Sequence, residues 1–233
     1  MTPPVSSACP FRSVVFDFDY TLADSTTGVV DCVNYALQKM GLPPAEVGAI
    51  QALIGVSLPE TFARLAGHHL RERSEEFKRL FVERGDEVMV RGVRLFDRVE
   101  PTIEQLLAMG MTLGILSGKF RYRIEEVLRR DGLERAFAII VGGEDVSDHK
   151  PDPSGLNLAI AALGRSRPEV LYVGDSTVDA ETARRAGVPF VALLTGVTPR
   201  VAFSNYPAHA ILEDLDPLPD WLSAGCATNE PRG

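Results

Sequence analysis

Six short apolar runs punctuate this chain, at residues 14–18, 111–116, 138–141, 170–173, 190–194 and, more weakly, 208–212. They do not alternate in polarity, which is the pattern of strands covered on both faces. Between the later runs lie stretches of helical periodicity, at residues 103–109, 124–130, 156–163 and 180–186. Ile124, Val127 and Leu128 fall at the i, i+3, i+4 spacing of one helix face, and the last stretch stops at Gly187, as a glycine-terminated helix does. Buried strand alternating with helix predicts βαβ units, and hence an α/β fold with a doubly wound, Rossmann-like parallel sheet.

One stretch, residues 25–94, breaks this rhythm and contains no strand-like run. Val29, Val33, Ala36, Leu37 and Met40 sit at helical spacing and stop at Gly41. Residues 44–53 form a second helical candidate. Ser57 and Glu60 have the spacing of a capping box that opens a third. Phe77, Leu80, Phe81, Arg84 and Val88 mark a fourth. The expected organisation is therefore a discontinuous core, residues 1–23 and 95–225, with an all-helical cap over residues 24–94 and a flexible tail at 226–233. The hinge is expected where the chain crosses between the two, near residues 23–25 and 95–98.

A chain of 233 residues is long enough for one sizeable core with such an insertion. Its net charge of −8 and lack of a basic stripe argue against a general nucleic-acid binder. Arg71, Arg73, Lys78 and Arg79 are interleaved with glutamates and read as a solvated helix face. No segment approaches the roughly 18 consecutive apolar residues of a membrane span, so no membrane partner is expected. Residues 1–10 have neither a basic nor an apolar leader segment and read as a short mobile stretch. Cys9, Cys32 and Cys226 are odd in number and far apart. That spacing predicts no disulfide framework and no metal site, and it suggests a reducing, cytoplasmic setting.

Polar residues collect at the ends of the apolar runs, where open α/β sheets hold ligands. Asp17 and Asp19 follow the first run, with Thr21 close behind. Like charges this close raise each other's pKa unless a cation or hydrogen bonds relieve them, which points to a metal, to acid/base chemistry, or to both. Ser117-Gly118-Lys119 follows the second run and offers a hydroxyl and backbone N–H groups suited to a phosphate oxygen. Lys150 stands in the proline-stiffened turn His149-Lys150-Pro151-Asp152-Pro153. Asp175 and Asp179 follow the fourth run, one helical turn apart. Each later feature alone suits an ordinary cap or a solvated loop; the ordered combination does not.

This set resembles the four signature motifs of the haloacid dehalogenase superfamily, across about residues 12–225. Within it, the placement of the helical insertion is similar to the phosphoglycolate-phosphatase-like branch. The resemblance implies that Asp17 is the nucleophile, taking the phosphoryl group as an aspartyl-phosphate. It implies that Asp19 is the general acid and then the base. Asp17, the backbone carbonyl of Asp19, and Asp175 would hold Mg²⁺. Ser117 and the Gly118 N–H would bind phosphoryl oxygens, Lys150 would neutralise the nucleophile and the transferring group, and Asp179 would orient Lys150 or a metal-bound water. The implied substrate is a small phosphorylated metabolite, with 2-phosphoglycolate the first candidate and a monomer or homodimer as the acting species. Pyrophosphatase, sugar phosphatase, nucleotidase and β-phosphoglucomutase-like phosphotransferase activities are the alternatives within the superfamily.

The chain departs from the commonest pattern at Tyr20, where glycine is usual, and at Ser117-Gly118, which replaces Thr-Asn. A tyrosine near the nucleophile also occurs in the superfamily's dehalogenases, but those lack the second aspartate. Asp19 therefore favours phosphoryl transfer. A carbon–phosphorus hydrolase would need a Schiff-base lysine from the cap, and Lys39 and Lys78 read as solvated. A catalytically silent regulatory protein on the same fold would be expected to lose Asp17, Asp19, Lys150 or Asp175; all four are present. For the leaving group, the expected cap contacts are the turn at Gly55 and the side chain of Arg64, with His68 and His69 also within the cap.

Overall fold

The computed structural model describes residues 9–226. The chain runs β1 (Ser13–Phe16), β2 (Ala23–Asp24), α1 (Thr26–Lys39), α2 (Val47–Gln51), α3 (Leu58–Ala66), α4 (Ser74–Gly92), β3 (Arg94–Leu95), α5 (Val99–Ala108) and β4 (Thr112–Leu116). It continues α6 (Arg121–Arg130), β5 (Ile139–Val141), α7 (Ser154–Leu163), β6 (Val170–Gly174), α8 (Thr177–Ala186), β7 (Phe190–Leu193), β8 (Ala208–Leu212) and α9 (Leu218–Ser223). All six apolar runs become the strands of one sheet, ordered β5-β4-β1-β6-β7-β8, and every pairing in it is parallel. The predicted doubly wound α/β fold is the observed one.

Side chains alternate across this sheet, as pleating requires. Val14, Phe16, Leu113, Ile115, Leu171 and Val173 face one side, where α5, α6 and α9 cover them through Ile103, Ile124 and Trp221. Val15, Tyr172, Phe190 and Ala192 face the other, beneath α7 and α8. Truncating a fully buried side chain such as Phe16 would cost about 3–5 kcal/mol.

The topology reverses beside β1. The chain moves from β1 to β4 and β5 on one side, then to β6, β7 and β8 on the other. A crevice opens at such a reversal, outside the carboxyl ends of the strands. Register sets what lines it: Phe16 pairs with both Ile115 and Val173. Asp17, Ser117 and Asp175 therefore leave three adjacent strands at nearly the same level.

The helical insertion α1–α4 leaves and rejoins the core across a two-residue antiparallel ladder, with Ala23 opposite Leu95. Helices α1 and α4 pack almost backbone to backbone: a Cβ on Gly92 would lie 2.7 Å from the Cα of Gly28. Tertiary structure overrides one local expectation here. Ser57 precedes α3 with extended backbone but makes no side-chain cap, and Glu60 pairs with Arg64 at 2.8 Å instead of reaching back. A capping box does form at α8, where the Ser176 hydroxyl accepts from the Asp179 N–H at 3.1 Å and Asp179 accepts from the Ser176 N–H at 3.2 Å.

The expectation of no disulfide is corrected. Cys9 and Cys226 are bonded across 217 residues, with their Cα atoms 5.6 Å apart. Spacing could not reveal this, because the chain ends meet only after Phe11 and Trp221 stack in the core, their ring centroids 6.1 Å apart. Cys9, expected in a mobile leader, is fully buried, and Cys226, expected in the tail, is tied to it. The argument from cysteine spacing to a reducing compartment falls with it. Residues 1–8 and 227–233, which hold the rest of the expected leader and tail, lie outside the described residues.

Thiol titration of the denatured, unreduced protein should find one thiol per chain, Cys32, rising to three after reduction. Three thiols without reductant would remove the crosslink. Cys9→Ser should lower unfolding free energy by about 2–5 kcal/mol in denaturant melts.

Candidate active site

Asp17 extends β1 by one residue, its N–H donating to the Val173 carbonyl at 2.9 Å, and it is 3% exposed. Lys150 rises from the turn before α7, where its peptide bond to Pro151 is cis, and its ammonium lies between two carboxylates. Its Nζ is 2.7 Å from Asp17 Oδ1 and 2.7 Å from Asp179 Oδ1. The Tyr172 hydroxyl, from β6, donates to the same Asp179 oxygen at 2.8 Å. The other Asp179 oxygen accepts from the Ser176 hydroxyl and N–H. Both oxygens of Asp179 are thus engaged, and of its two expected roles the geometry favours orienting Lys150.

Asp175 completes the cluster at the end of β6. Thr21 donates to its Oδ1 at 3.3 Å. Gly196, after β7, leaves room for its other oxygen: a Cβ there would stand 1.9 Å from Oδ2. Carboxylate oxygens of Asp17, Asp175 and Asp179 all lie within 4.8 Å of one another.

Three buried carboxylates share one ammonium, and Asp17 and Asp175 are raised. Burial, with the charges of Asp179 and Asp19 adding to it, outweighs Lys150 and pushes Asp17 up to about 7. Burial, then the charges of Asp179 and Asp17, holds Asp175 well above the usual carboxylate range. A divalent cation would relieve this excess negative charge, and hard carboxylate oxygens suit a magnesium-like ion. The donor set therefore fits such an ion through Asp17 and Asp175.

Asp19 turns away from this cluster. Its Oδ1 lies 3.1 Å from Lys119 Nζ and accepts a hydrogen bond from the Ser25 hydroxyl, just before α1. Ser117 is 4% exposed, its Oγ accepting from the Lys119 N–H at 3.2 Å. Gly118 is exposed beside it. Lys119 and Tyr172 are functional candidates that sequence reading passed over. Lys119 carried a signal, since it adjoins the Ser-Gly pair; Tyr172 and Gly196 carried none, being one apolar-run residue and one loop glycine.

Tyr20 has φ of 61°, a left-handed conformation natural to glycine. Holding a non-glycine residue there costs about 1 kcal/mol or more. The tyrosine recovers contacts: its hydroxyl bonds Thr26 at 2.8 Å, and its carbonyl accepts from the Thr195 hydroxyl. It braces the base of the cap and does not line the cavity, so it does not narrow it.

A cavity of about 610 Å³ rises from Asp19, Gly118, Lys119 and Lys150 into the cap. Gly55, with φ of 89°, lies in its wall, as expected. Arg64, His68 and His69 do not. The expectation for Arg64 is corrected: its guanidinium pairs with Glu60 one turn earlier on α3, with its side chain 53% exposed. An i, i+4 carboxylate on its own helix is nearer than the cavity. Lys39 lies 5.4 Å over the Tyr35 ring, away from the cavity, whereas exposed Lys78 reaches its wall.

Residues 14–193 match the haloacid dehalogenase-like hydrolase family. A phosphoglycolate phosphatase from Yersinia pestis is 32% identical over 213 residues, covering 89% of this chain and 92% of the relative. One from Cereibacter sphaeroides is 32% identical over 217 residues, covering 90% of this chain and 96% of the relative. A solved structure from Bacteroides fragilis, assigned to the haloacid dehalogenase-like hydrolases, superposes with a TM-score of 0.86 at 41% identity, over 89% of this chain and 99% of that one. Sequence motifs, sheet topology and relatives agree: the chain belongs to the haloacid dehalogenase-like hydrolase family, on its phosphoglycolate-phosphatase-like branch, and is a hydrolase of the phosphatase type.

Proposed function

We propose that this protein is a Mg²⁺-dependent phosphatase acting on a small phosphorylated metabolite, with 2-phosphoglycolate the first substrate to test. The observation that carries the reading is Lys150 Nζ, 2.7 Å from both Asp17 and Asp179, beside Asp175 and across from an Asp19 that faces the cavity. Relatives named phosphoglycolate phosphatase support the choice of first substrate.

In this reading the substrate phosphoryl group sits against Asp17, its oxygens received by the Ser117 hydroxyl, the Gly118 N–H and the Lys150 ammonium. Asp17 attacks phosphorus while the bond to the leaving oxygen breaks, and the Asp19 carboxyl gives that oxygen its proton. The leaving group departs as an alcohol, and Asp17 holds the phosphoryl group as an acyl phosphate. Asp19, now a carboxylate, takes a proton from water as the water attacks phosphorus. Inorganic phosphate leaves, and both aspartates are restored. Mg²⁺, held by Asp17, the Asp19 carbonyl and Asp175, would supply charge neutralisation for the transferring group. Fixed positive charge of this kind is the main catalytic contribution in phosphoryl transfer. The helical segment α1–α4 acts as a cap, closing about the hinge where β2 and β3 cross and excluding water.

Asp17→Asn should abolish Mg²⁺-dependent release of phosphate from p-nitrophenyl phosphate; turnover equal to the unsubstituted enzyme would remove Asp17 as nucleophile. Asp19→Asn should reduce turnover of an alkyl phosphate by about 10²–10⁴-fold and slow breakdown of the phosphoenzyme. A rapid-quench experiment with ³²P-labelled substrate would detect that accumulation.

The elevated Asp17 value gives a pH dependence with a definite sign. A carboxyl whose folded pKa is raised contributes stability at acid pH and loses it as pH rises, here from about 4 through about 7 in the metal-free protein. Mg²⁺ should therefore stabilise most at alkaline pH. At about a hundredfold excess over Kd the gain is about 2.7 kcal/mol. That corresponds to a Tm rise of about 5–10 °C for a chain of this size. Scanning calorimetry at pH 8 should show this rise, and pH 5.5 a smaller one; the reverse order would contradict the charge balance described above.

A further inference from the structure

We infer that Arg123 and Lys78 form a second anion subsite in the cavity and read a carboxylate carried by the leaving group. The inference rests on the phosphatase reading of the site and adds two specificity residues to it.

Arg123 stands in the first turn of α6, shortly after Gly118 on the same connection. It is 3% exposed and lines the cavity. Its guanidinium is fixed by its surroundings. Nη2 donates to the Val82 carbonyl at 2.9 Å and to Asp86 at 2.7 Å, both on α4. The rings of Phe120 and Tyr122 lie 5.2 Å and 5.3 Å from its central carbon. Gly85 keeps space for it, since a Cβ there would fall 2.6 Å from Nη1. Yet Nε is buried with no hydrogen-bond partner among the described residues. A buried donor on a charged group is costly to leave unpaired, and native proteins rarely do so. Nε is thus a donor already fixed in direction for an acceptor that arrives with the substrate.

Because Asp86 already balances much of the Arg123 charge, Arg123 contributes direction and Lys78 contributes charge. Lys78 stands one helical turn before Val82 and two before Asp86 on α4, so it shares the face that meets Arg123. It lines the same cavity, and among the described residues its ammonium has no carboxylate partner. The other charges of the wall are engaged. Lys119 pairs with Asp19, and Lys150 with Asp17 and Asp179. Glu144 accepts from the Arg121 N–H with both oxygens at 2.9 Å. Neither wall carboxylate therefore competes for Arg123 Nε or Lys78. One fixed N–H and one ammonium match the two oxygens of a carboxylate. A second phosphate, with three oxygens and more charge, would be left underpaired. Arg123 belongs to the core and Lys78 to the helical insertion, so a carboxylate held by both would tie α4 to α6 with the substrate in place.

The test compares 2-phosphoglycolate with ethyl phosphate, in which a methyl group replaces the carboxylate. With the Mg²⁺-loaded enzyme, kcat/KM for 2-phosphoglycolate should exceed that for ethyl phosphate by at least about tenfold. Arg123→Gln should cut this ratio by about tenfold or more, the worth of a hydrogen bond to a charged group. Lys78→Gln, at an exposed position, should cut it by about two- to fivefold, less as salt is raised. Taking the ratio removes any change in phosphoryl chemistry common to both esters. Should Arg123→Gln fail to fold, inhibition by 3-phosphonopropionate against propylphosphonate reads the same subsite without turnover of either. Ki for the carboxylate compound should be lower by at least about tenfold in the unsubstituted enzyme, and Lys78→Gln should narrow that gap. A ratio unchanged in both variants, or equal Ki values for the two phosphonates, would overturn the inference and leave the phosphatase reading standing. No Mg²⁺-dependent turnover of any ester, p-nitrophenyl phosphate included, would remove both.

Discussion

A buried ammonium between two buried carboxylates organises this molecule. Unpaired, any of these charges would cost several kcal/mol to hold away from water. Paired, they bind distant parts of the chain. Lys150 comes from the turn before α7, Asp17 from the end of β1 and Asp179 from the first turn of α8. Burial works against the Lys150 charge, but Asp17 and Asp179 overcome it and hold its pKa above the ordinary value. Much of the surrounding structure serves this arrangement. Ser176 caps α8 through Asp179, Tyr172 bonds the same carboxylate from the sheet below, and Gly196 leaves room for Asp175.

The two aspartates after β1 are separated in role by geometry as well as by order. Asp17 points into the carboxylate cluster, where one lysine cannot balance the charge. Asp19 points outward to Lys119 and to Ser25, where the chain leaves for the cap. Tyr20, directly after Asp19, adopts the left-handed turn and bonds Thr26 on α1. The segment that carries the chemistry is thus hydrogen-bonded to the base of the cap. A change in cap position would reach Asp19 through these bonds.

Core and cap differ in what they ask of their residues. The core side of the cavity must meet a phosphoryl group, and few residue types can do so. The cap side is lined largely by aliphatic and aromatic side chains, which leave no isolated motif in a sequence. Arg64 illustrates the difference: a cap arginine is a natural candidate for an anionic substrate, yet a glutamate one helical turn away claims it.

The strand runs, the glycine stop of α8, the helical insertion and the aspartate, serine and lysine stations were legible because each is a local signal: continuous apolar runs, 3.6-residue spacing, or a polar residue just past a strand. Their order along the chain was enough to place the family. Other features depended on contacts between residues far apart in sequence. Cys9 meets Cys226 only when both ends pack on the same core, and Ser57 forgoes its capping box while Glu60 binds Arg64. Lys119 becomes Asp19's partner because β1 and β4 are neighbours in register. By itself, then, the sequence determined the sheet, its helices and the polar groups at the strand ends, since backbone periodicity and residue chemistry are local properties. Only the tertiary structure decided which charges pair and what surface lines the cavity, because Coulomb interaction and burial depend on distance in space and not along the chain.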